Sequence, residues 1–229
     1  MKKVLIGFIA IGLLTFVGCK KEEDDTTDAD GYTYKTVTIG EQEWFAENLK
    51  TSKYNDGTVI PNVTDDTEWD DLETGAWCNY NNSSSNDATY GKLYNWYAVN
   101  TSKLCPTGWH VPTDAEWTVL EDYLTANGHN NGTEGKEGTA LKATSGWNNK
   151  DDGTSGNGTD DYGWNGLPGG CRTDDSGFFF GIGNNGYWWS SSQYYTLLAW
   201  YRSLNSNYDG VSSYYHFKEG GFSVRCIRD

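Results

Sequence analysis

The chain has 229 residues, and its 17 Lys and Arg against 32 Asp and Glu give a formal charge of −15. That balance argues against nucleic-acid binding, which works through basic patches that release phosphate counterions, and against electrostatic adhesion to anionic lipid. Only 36% of residues are hydrophobic but 15% are aromatic, with 11 Trp, 16 Tyr and one Met, so the core must be built from rings whose polar edges need hydrogen bonds.

Lys2 and Lys3 open the chain, and residues 4–17 are apolar except for Gly7, Gly12 and Thr15. This run is short for a membrane span and reads as a secretory signal. Phe16-Val17-Gly18-Cys19 resembles the lipobox of bacterial lipoproteins, with Phe16 where leucine is usual. It implies a signal peptide over residues 1–18, cleavage before Cys19 and a diacylglycerol anchor on Cys19. An ordinary signal peptide with a chance cysteine is the alternative. Residues 19–31 then form an acidic tether that holds too little apolar surface to order itself. The run behind Cys19 resembles the acidic stretch that directs Bacteroidetes lipoproteins to the outer leaflet of the outer membrane; the alternative is a spacer without an address. Removing Lys2 and Lys3 with the signal takes the charge from −15 to −17. Residues 32–229 suit one compact domain.

Within that domain, residues 34–39 have the β-branched content of a strand ending at Gly40. Residues 41–50 continue it or turn as a short helix, and 54–71 read as a polar excursion. Residues 79–86 read as a Ser/Asn loop, and 91–99 as a dense aromatic patch. The best-defined element is a helix starting after Thr113, where Thr113 and Glu116 make a capping box. Trp117, Leu120 and Leu124 share its apolar side, and Gly128 supplies a left-handed end. Residues 139–144 suit a second short helix. Aromatic runs at 162–167, 178–182, 187–192, 197–204 and 222–227 alternate with glycine-rich turns and predict a twisted antiparallel sheet of short strands. The fold class is α+β, with helices early and most strands late.

Four cysteines follow Cys19: Cys78, Cys105, Cys171 and Cys226. In an exported chain they are compatible with two disulfides, and spacing does not choose among the three pairings. His110, His129 and His216 do not fall at metal-ligand spacing, and His110 reads as structural. There is no Gly-x-Ser-x-Gly elbow and no phosphate loop. Asp151, Asp152, Asp160 and Asp161 flank a flexible loop and offer oxygen ligands to a structural Ca²⁺, although their spacing is not that of an EF-hand; a solvated acidic loop is the simpler reading, and no other cofactor is implied. The rings between 188 and 215 outnumber what one small core needs. Trp188, Tyr194, Tyr195, Trp200 and Tyr214 are therefore candidates for stacking on a sugar or anchoring a protein interface. Strand alternation predicts that Trp188 and Trp189 face opposite ways, one buried and one exposed.

Trp109-His110-Val111-Pro112-Thr113-Asp114-Ala115-Glu116-Trp117 resembles the Fibrobacter succinogenes major paralogous domain. The resemblance runs from Val37-Thr38-Ile39-Gly40-Glu41-Gln42-Glu43-Trp44 through Tyr90-Gly91-Lys92-Leu93-Tyr94-Asn95-Trp96-Tyr97, Leu167-Pro168-Gly169-Gly170 and Trp189-Ser190-Ser191-Ser192. It closes on Phe222-Ser223-Val224-Arg225-Cys226-Ile227-Arg228-Asp229; Cys171 stands where an aromatic is usual. The family is similar to the C-type lectin-like fold that includes formylglycine-generating enzymes. The resemblance implies paired N- and C-terminal strands and a Cys105–Cys226 bridge, leaving Cys78 with Cys171. Its enzymes use a reactive cysteine pair, for which this chain offers Cys171 and Cys226 at most, or a histidine cluster, which it does not supply. The reading is a non-catalytic surface lipoprotein module for an extracellular glycan or protein. A structural envelope or fibre component is the alternative, and a formylglycine-type enzyme the least favoured.

Overall fold

The computed structural model describes residues 26–130 and 135–229. The expected signal peptide, Cys19 and residues 20–25 lie outside them. Residues 26–31, expected to be part of a solvated tether, are folded onto the domain. Asp28 accepts the Tyr34 hydroxyl at 2.6 Å and the amides of Asp30 and Tyr32 at 3.0 and 2.9 Å, while Thr27 bridges to Thr33. A carboxylate that satisfies three donors orders an acidic segment without a hydrophobic anchor.

β1 (Thr36–Ile39) and β2 (Gln42–Phe45) form a hairpin. Gly40 takes φ +63° at its turn, where a Cβ would meet the Tyr123 ring at 2.7 Å. β2 pairs with the last strand, β11 (Ile227–Arg228), which pairs on its other side with β5 (Trp109–His110). The N- and C-terminal strands are thus adjacent in a sheet of order β1-β2-β11-β5. Between them lie α1 (Asp66–Asp70), β3 (Trp77–Cys78), α2 (Ser85–Tyr90), β4 (Leu93–Tyr94) and α3 (Trp96–Val99). α1 lies inside the expected polar excursion and α2 overlaps the expected Ser/Asn loop. α1 forms because Asp65 caps Glu68 N and Trp69 is fully buried, donating to Glu219 O at 2.8 Å.

α4 (Asp114–Leu124) has the expected capping box and buries Trp117, Leu120 and Leu124. It ends through a wide turn in which Gly128 has φ +99°. α5 (Glu137–Leu141) follows. Residues 162–167 form no strand; Gly166 makes only a bridge to Lys142. β6 (Cys171–Arg172) and β7 (Phe179–Phe180) pair as a short ribbon. The longest strands are β8 (Asn185–Tyr195), β9 (Leu198–Asn205) and β10 (Tyr208–Phe217), in the order β10-β9-β8. The class is α+β, with several small antiparallel sheets in place of one.

The Cys105–Cys226 disulfide closes 121 residues of separation within the first core cluster. Cys78 and Cys171 are free and buried, not bridged. The reason is strand alternation. Cys171 faces the first cluster, whereas its neighbour Arg172 turns to the side of Trp69 and Phe179, where Cys78 lies. Burial pushes both thiols up to about 12.

Three buried arginines fasten separate parts of the chain to one another. Arg172 donates to the carbonyls of Gly177, Val63 and Thr64 and to Asp66 at 2.7 Å. Arg202 on β9 reaches Asp114 and Glu121 of α4, each at 2.5 Å. Arg225 stacks on Trp164 at 3.8 Å and donates to Asn48 and the Trp164 carbonyl. Each guanidinium gathers several acceptors in a fixed fork, which suits a protein built from loops.

Candidate functional site

Two tight hairpins build the surface on which the candidate rings stand. β8 turns into β9 through Thr196 and Leu197, and β9 into β10 through Ser206 and Asn207. Trp200 lies opposite Tyr215, and Tyr201 opposite Tyr214. Successive residues of a strand point to opposite faces, so Trp200 and Tyr215 share one face and Tyr201 and Tyr214 the other. α4 covers the first face near Arg202 and Trp188. Beyond the end of that cover, near the β8–β9 turn, the rings are left to solvent.

There Tyr194 stacks on Tyr215 at 4.1 Å, with Trp200 edge-on to Tyr194 at 4.7 Å and Tyr195 tilted against it at 4.3 Å. Register shifts in β8 on both sides of Gln193 let the consecutive Tyr194 and Tyr195 touch. Tyr195 remains 64% exposed and Tyr215 48%. The Tyr195 hydroxyl is the first cause that raises the Tyr194 phenol above its ordinary value. The cluster contains no charged side chain; Lys218 beside it is buried, bound to Gln193 Oε1 at 2.8 Å and Thr196 O at 2.6 Å.

Two candidates leave the set. Trp188 is 1% exposed and joins the second core cluster, donating to Asn48 Oδ1 at 2.8 Å. Trp189 is fully buried too, in the first cluster, so β8 is covered on both faces and the expected one-in, one-out alternation fails. Tyr214 is 58% exposed but stands on the opposite face, 6.4 Å from Tyr201. Tyr215 takes its place beside Tyr194, and Leu197 and Phe217 at the same end of the sheet are exposed too. Phe217 was missed because the sequence pattern placed no strand at 208–217.

The four aspartates do not converge. Asp152 Oδ1 accepts both the amide and the hydroxyl of Thr154, and Asp160 Oδ1 accepts the Asn165 amide at 2.6 Å. Asp161 approaches His129 at 3.7 Å, and the Asp151 amide is held by Asn207. Turn hydrogen bonds occupy one carboxylate oxygen each of Asp152 and Asp160, and among the described residues no group of three or more His, Cys, Asp or Glu could hold a metal.

His110 is held by two carboxylates, Asp229 Oδ1 at 2.7 Å and Glu116 Oε1 at 2.9 Å. Burial opposes its protonation, but the two hydrogen bonds prevail and its pKa is raised. It lines a small cavity of about 160 Å³ with Val99, Leu104, Cys105 and Ser191.

The family model described as Fibrobacter succinogenes major domain matches residues 37–228. The chain belongs to this family. No curated protein and no solved structure matches it. The family motifs of the Fibrobacter succinogenes major domain build its interior: Trp44, Trp96, Trp109, Trp117, Trp189 and Phe222 are all buried. The ring cluster at the β8–β9 turn falls outside those motifs, apart from the β8 strand that carries it there.

Proposed function

We propose that this domain is a non-catalytic binding module, carried by a lipoprotein anchored through Cys19 at the outer face of the outer membrane, that grips an extracellular glycan. The observation that carries the reading is the uncharged, solvent-facing cluster of Tyr194, Tyr195, Trp200 and Tyr215. Ring faces attract the C–H faces of sugars and need no charge, which suits a surface of this kind in an acidic chain. A C-type lectin-like architecture is part of the proposal. It is supported by the adjacency of β2 and β11 and by the Cys105–Cys226 tie. A non-catalytic role is supported by the state of the cysteines. Cys226 is already bonded, and the free thiols sit far above the range of a reactive thiolate.

A glycan array with a chain beginning at Lys20, which keeps every described residue, tests the module. Binding is expected, and Tyr195→Ala and Tyr215→Ala should each weaken it about tenfold, or ~1.4 kcal/mol. Silence across the array, with a protein ligand captured through the same rings, would move the assignment to the protein class. Metabolic palmitate labelling, lost in Cys19→Ala, and protease shaving of intact cells test anchor and display; a chain resistant to shaving would remove the outward-facing assignment.

A further inference from the structure

We propose that a polar groove formed by the N-terminal segment and the α2 region is a second ligand site, which takes a neutral sugar ring through a pair of adjacent hydroxyls. It shares no residue with the ring cluster and does not depend on that reading. The groove is open, has a volume of about 580 Å³, and is lined by Asp28, Asp30, Tyr32, Ser84, Asp87 and Lys92 among others. That volume falls within the roughly 300–1,000 Å³ of small-molecule sites, but these walls are polar, so the ligand must be polar too.

Lys92 is the group that calls for a ligand. It is only 6% exposed, and its ammonium lies over the Trp77 ring at 4.5 Å and donates to Asp87 Oδ2 at 2.8 Å. An ammonium has three donors, and among the described residues Asp87 takes one of them. Donors left unmet on a buried charged group are costly, and the groove is the side from which acceptors can reach Lys92. Asp87 Oδ1 is buried, so Oδ2 is the oxygen offered there. Ser84, just ahead of α2, adds a hydroxyl that both donates and accepts.

Charge decides the class of ligand. Lys50 also lines the groove and pairs with Glu47 at 2.7 Å, while Asp30 pairs with Lys53 at 3.1 Å. Four carboxylates thus stand against three ammonium groups. An anion would meet Asp28, Asp30 and Asp87, and a cation would meet Lys50 and Lys92. A hydroxyl suits both signs, since it accepts from an ammonium and donates to a carboxylate. Lys92 and Asp87 hold one donor and one acceptor side by side. Adjacent hydroxyls of a sugar match that pair: one accepts from Lys92 and its neighbour donates to Asp87. Tyr32, 40% exposed, adds ring surface for the C–H groups. Asp30 also accepts the Ser52 amide and hydroxyl at 2.5 and 2.8 Å, which fixes that wall before a ligand arrives.

Amide shift mapping by NMR tests the site, with the isotope-labelled chain beginning at Lys20 titrated with methyl glycopyranosides of gluco, galacto and manno configuration. At least one sugar should move the amides of Tyr32, Ser84, Asp87 and Lys92 saturably, with millimolar affinity. Lys92→Met, which keeps an apolar stem over Trp77, and Asp87→Asn should each weaken that sugar at least tenfold, with near-ultraviolet circular dichroism confirming the fold. If Lys92→Met does not fold, the half-exposed Asp87→Asn decides. A deoxy glycoside lacking one of the two adjacent hydroxyls should lose as much. The proposal is overturned by an absence of groove shifts with all three sugars, by folded variants that bind as wild type does, or by tighter binding of inorganic phosphate or ethanolamine. Shifts confined to the ring cluster at Tyr195 and Tyr215 overturn it too, while supporting the proposed function. Shifts confined to the groove support this site and count against the ring cluster.

Discussion

At the scale of single residues, polar side chains in this protein act as fasteners. Arg172, fully buried, holds three carbonyls from two separate loops. Replacing it with methionine keeps the volume but orphans those acceptors, each costing roughly 1–3 kcal/mol when left unmet. Arg172→Met should therefore lose at least about 3 kcal/mol in urea unfolding, whereas a loss under 1 kcal/mol would show that water replaces the guanidinium. His110 offers a second residue-scale test. Its pKa is raised in the folded state, so its stabilising contribution is complete below the ordinary histidine value of about 6.5 and is lost as pH rises through the folded value. The difference in Tm between wild type and His110→Gln should be largest near pH 5.5 and shrink toward pH 8.5. A difference independent of pH would assign His110 a packing role alone. His110 was readable as structural, but the arginine roles were not legible in the sequence, because Arg172 and Arg225 bind loops more than 50 residues away, and no local pattern encodes such distances. The Thr113–Glu116 capping box was legible, since both its hydrogen bonds lie within four consecutive residues.

Elements show the same division between local and distant causes. α4 follows from its own sequence: cap, apolar stripe and terminal glycine agree. Thr113→Ala should destabilise by about 1 kcal/mol, measured by thermal unfolding; an unchanged Tm would mean that Ser192, whose hydroxyl accepts from the Asp114 amide at 3.0 Å, is cap enough. β10 was invisible for a stated reason. Its tyrosines, serines and single histidine lack the β-branched content and clean alternation by which strands are recognised, and pairing with β9 supplies the missing preference. α1 and α2 hid in polar stretches because each is too short to show a period. Residues 162–167 failed in the other direction. They are apolar enough for a strand, but Trp164 is committed to the core against Arg225 and Trp188, and the backbone follows the ring.

On the scale of the whole molecule, two large clusters of rings lie on either side of β8, one around Trp189 and Phe222 and the other around Trp44, Trp117, Trp164 and Trp188. The Cys105–Cys226 bond ties the first of them across most of the domain. A loop of this length constrains the unfolded chain by roughly 4–5 kcal/mol on the chain-entropy estimate. Cys105→Ala with Cys226→Ala should accordingly lower stability by about 2–5 kcal/mol in denaturant titration, and a neutral result would mean that the packed rings alone hold the terminal strands. Thiol counting checks the rest of the pattern. The chain beginning at Lys20 should show no fast-reacting thiol when native and two when unfolded without reductant; four, or none, would contradict a single bridge with two buried cysteines.

What the sequence determined by itself was local or compositional. The capped helix, the α+β class, the family and the aromatic nature of the core were readable, because each depends on neighbours within a turn or on residue counts. Tertiary structure decided which rings are buried and which are offered to solvent. Trp188 and Tyr215 are both rings on strands of one sheet, yet one is core and the other surface. The difference is made by α4, which packs over the proximal part of that sheet and ends before Tyr215. Burial is set by what lies across from a side chain, and that partner comes from some 70 to 100 residues earlier in the chain.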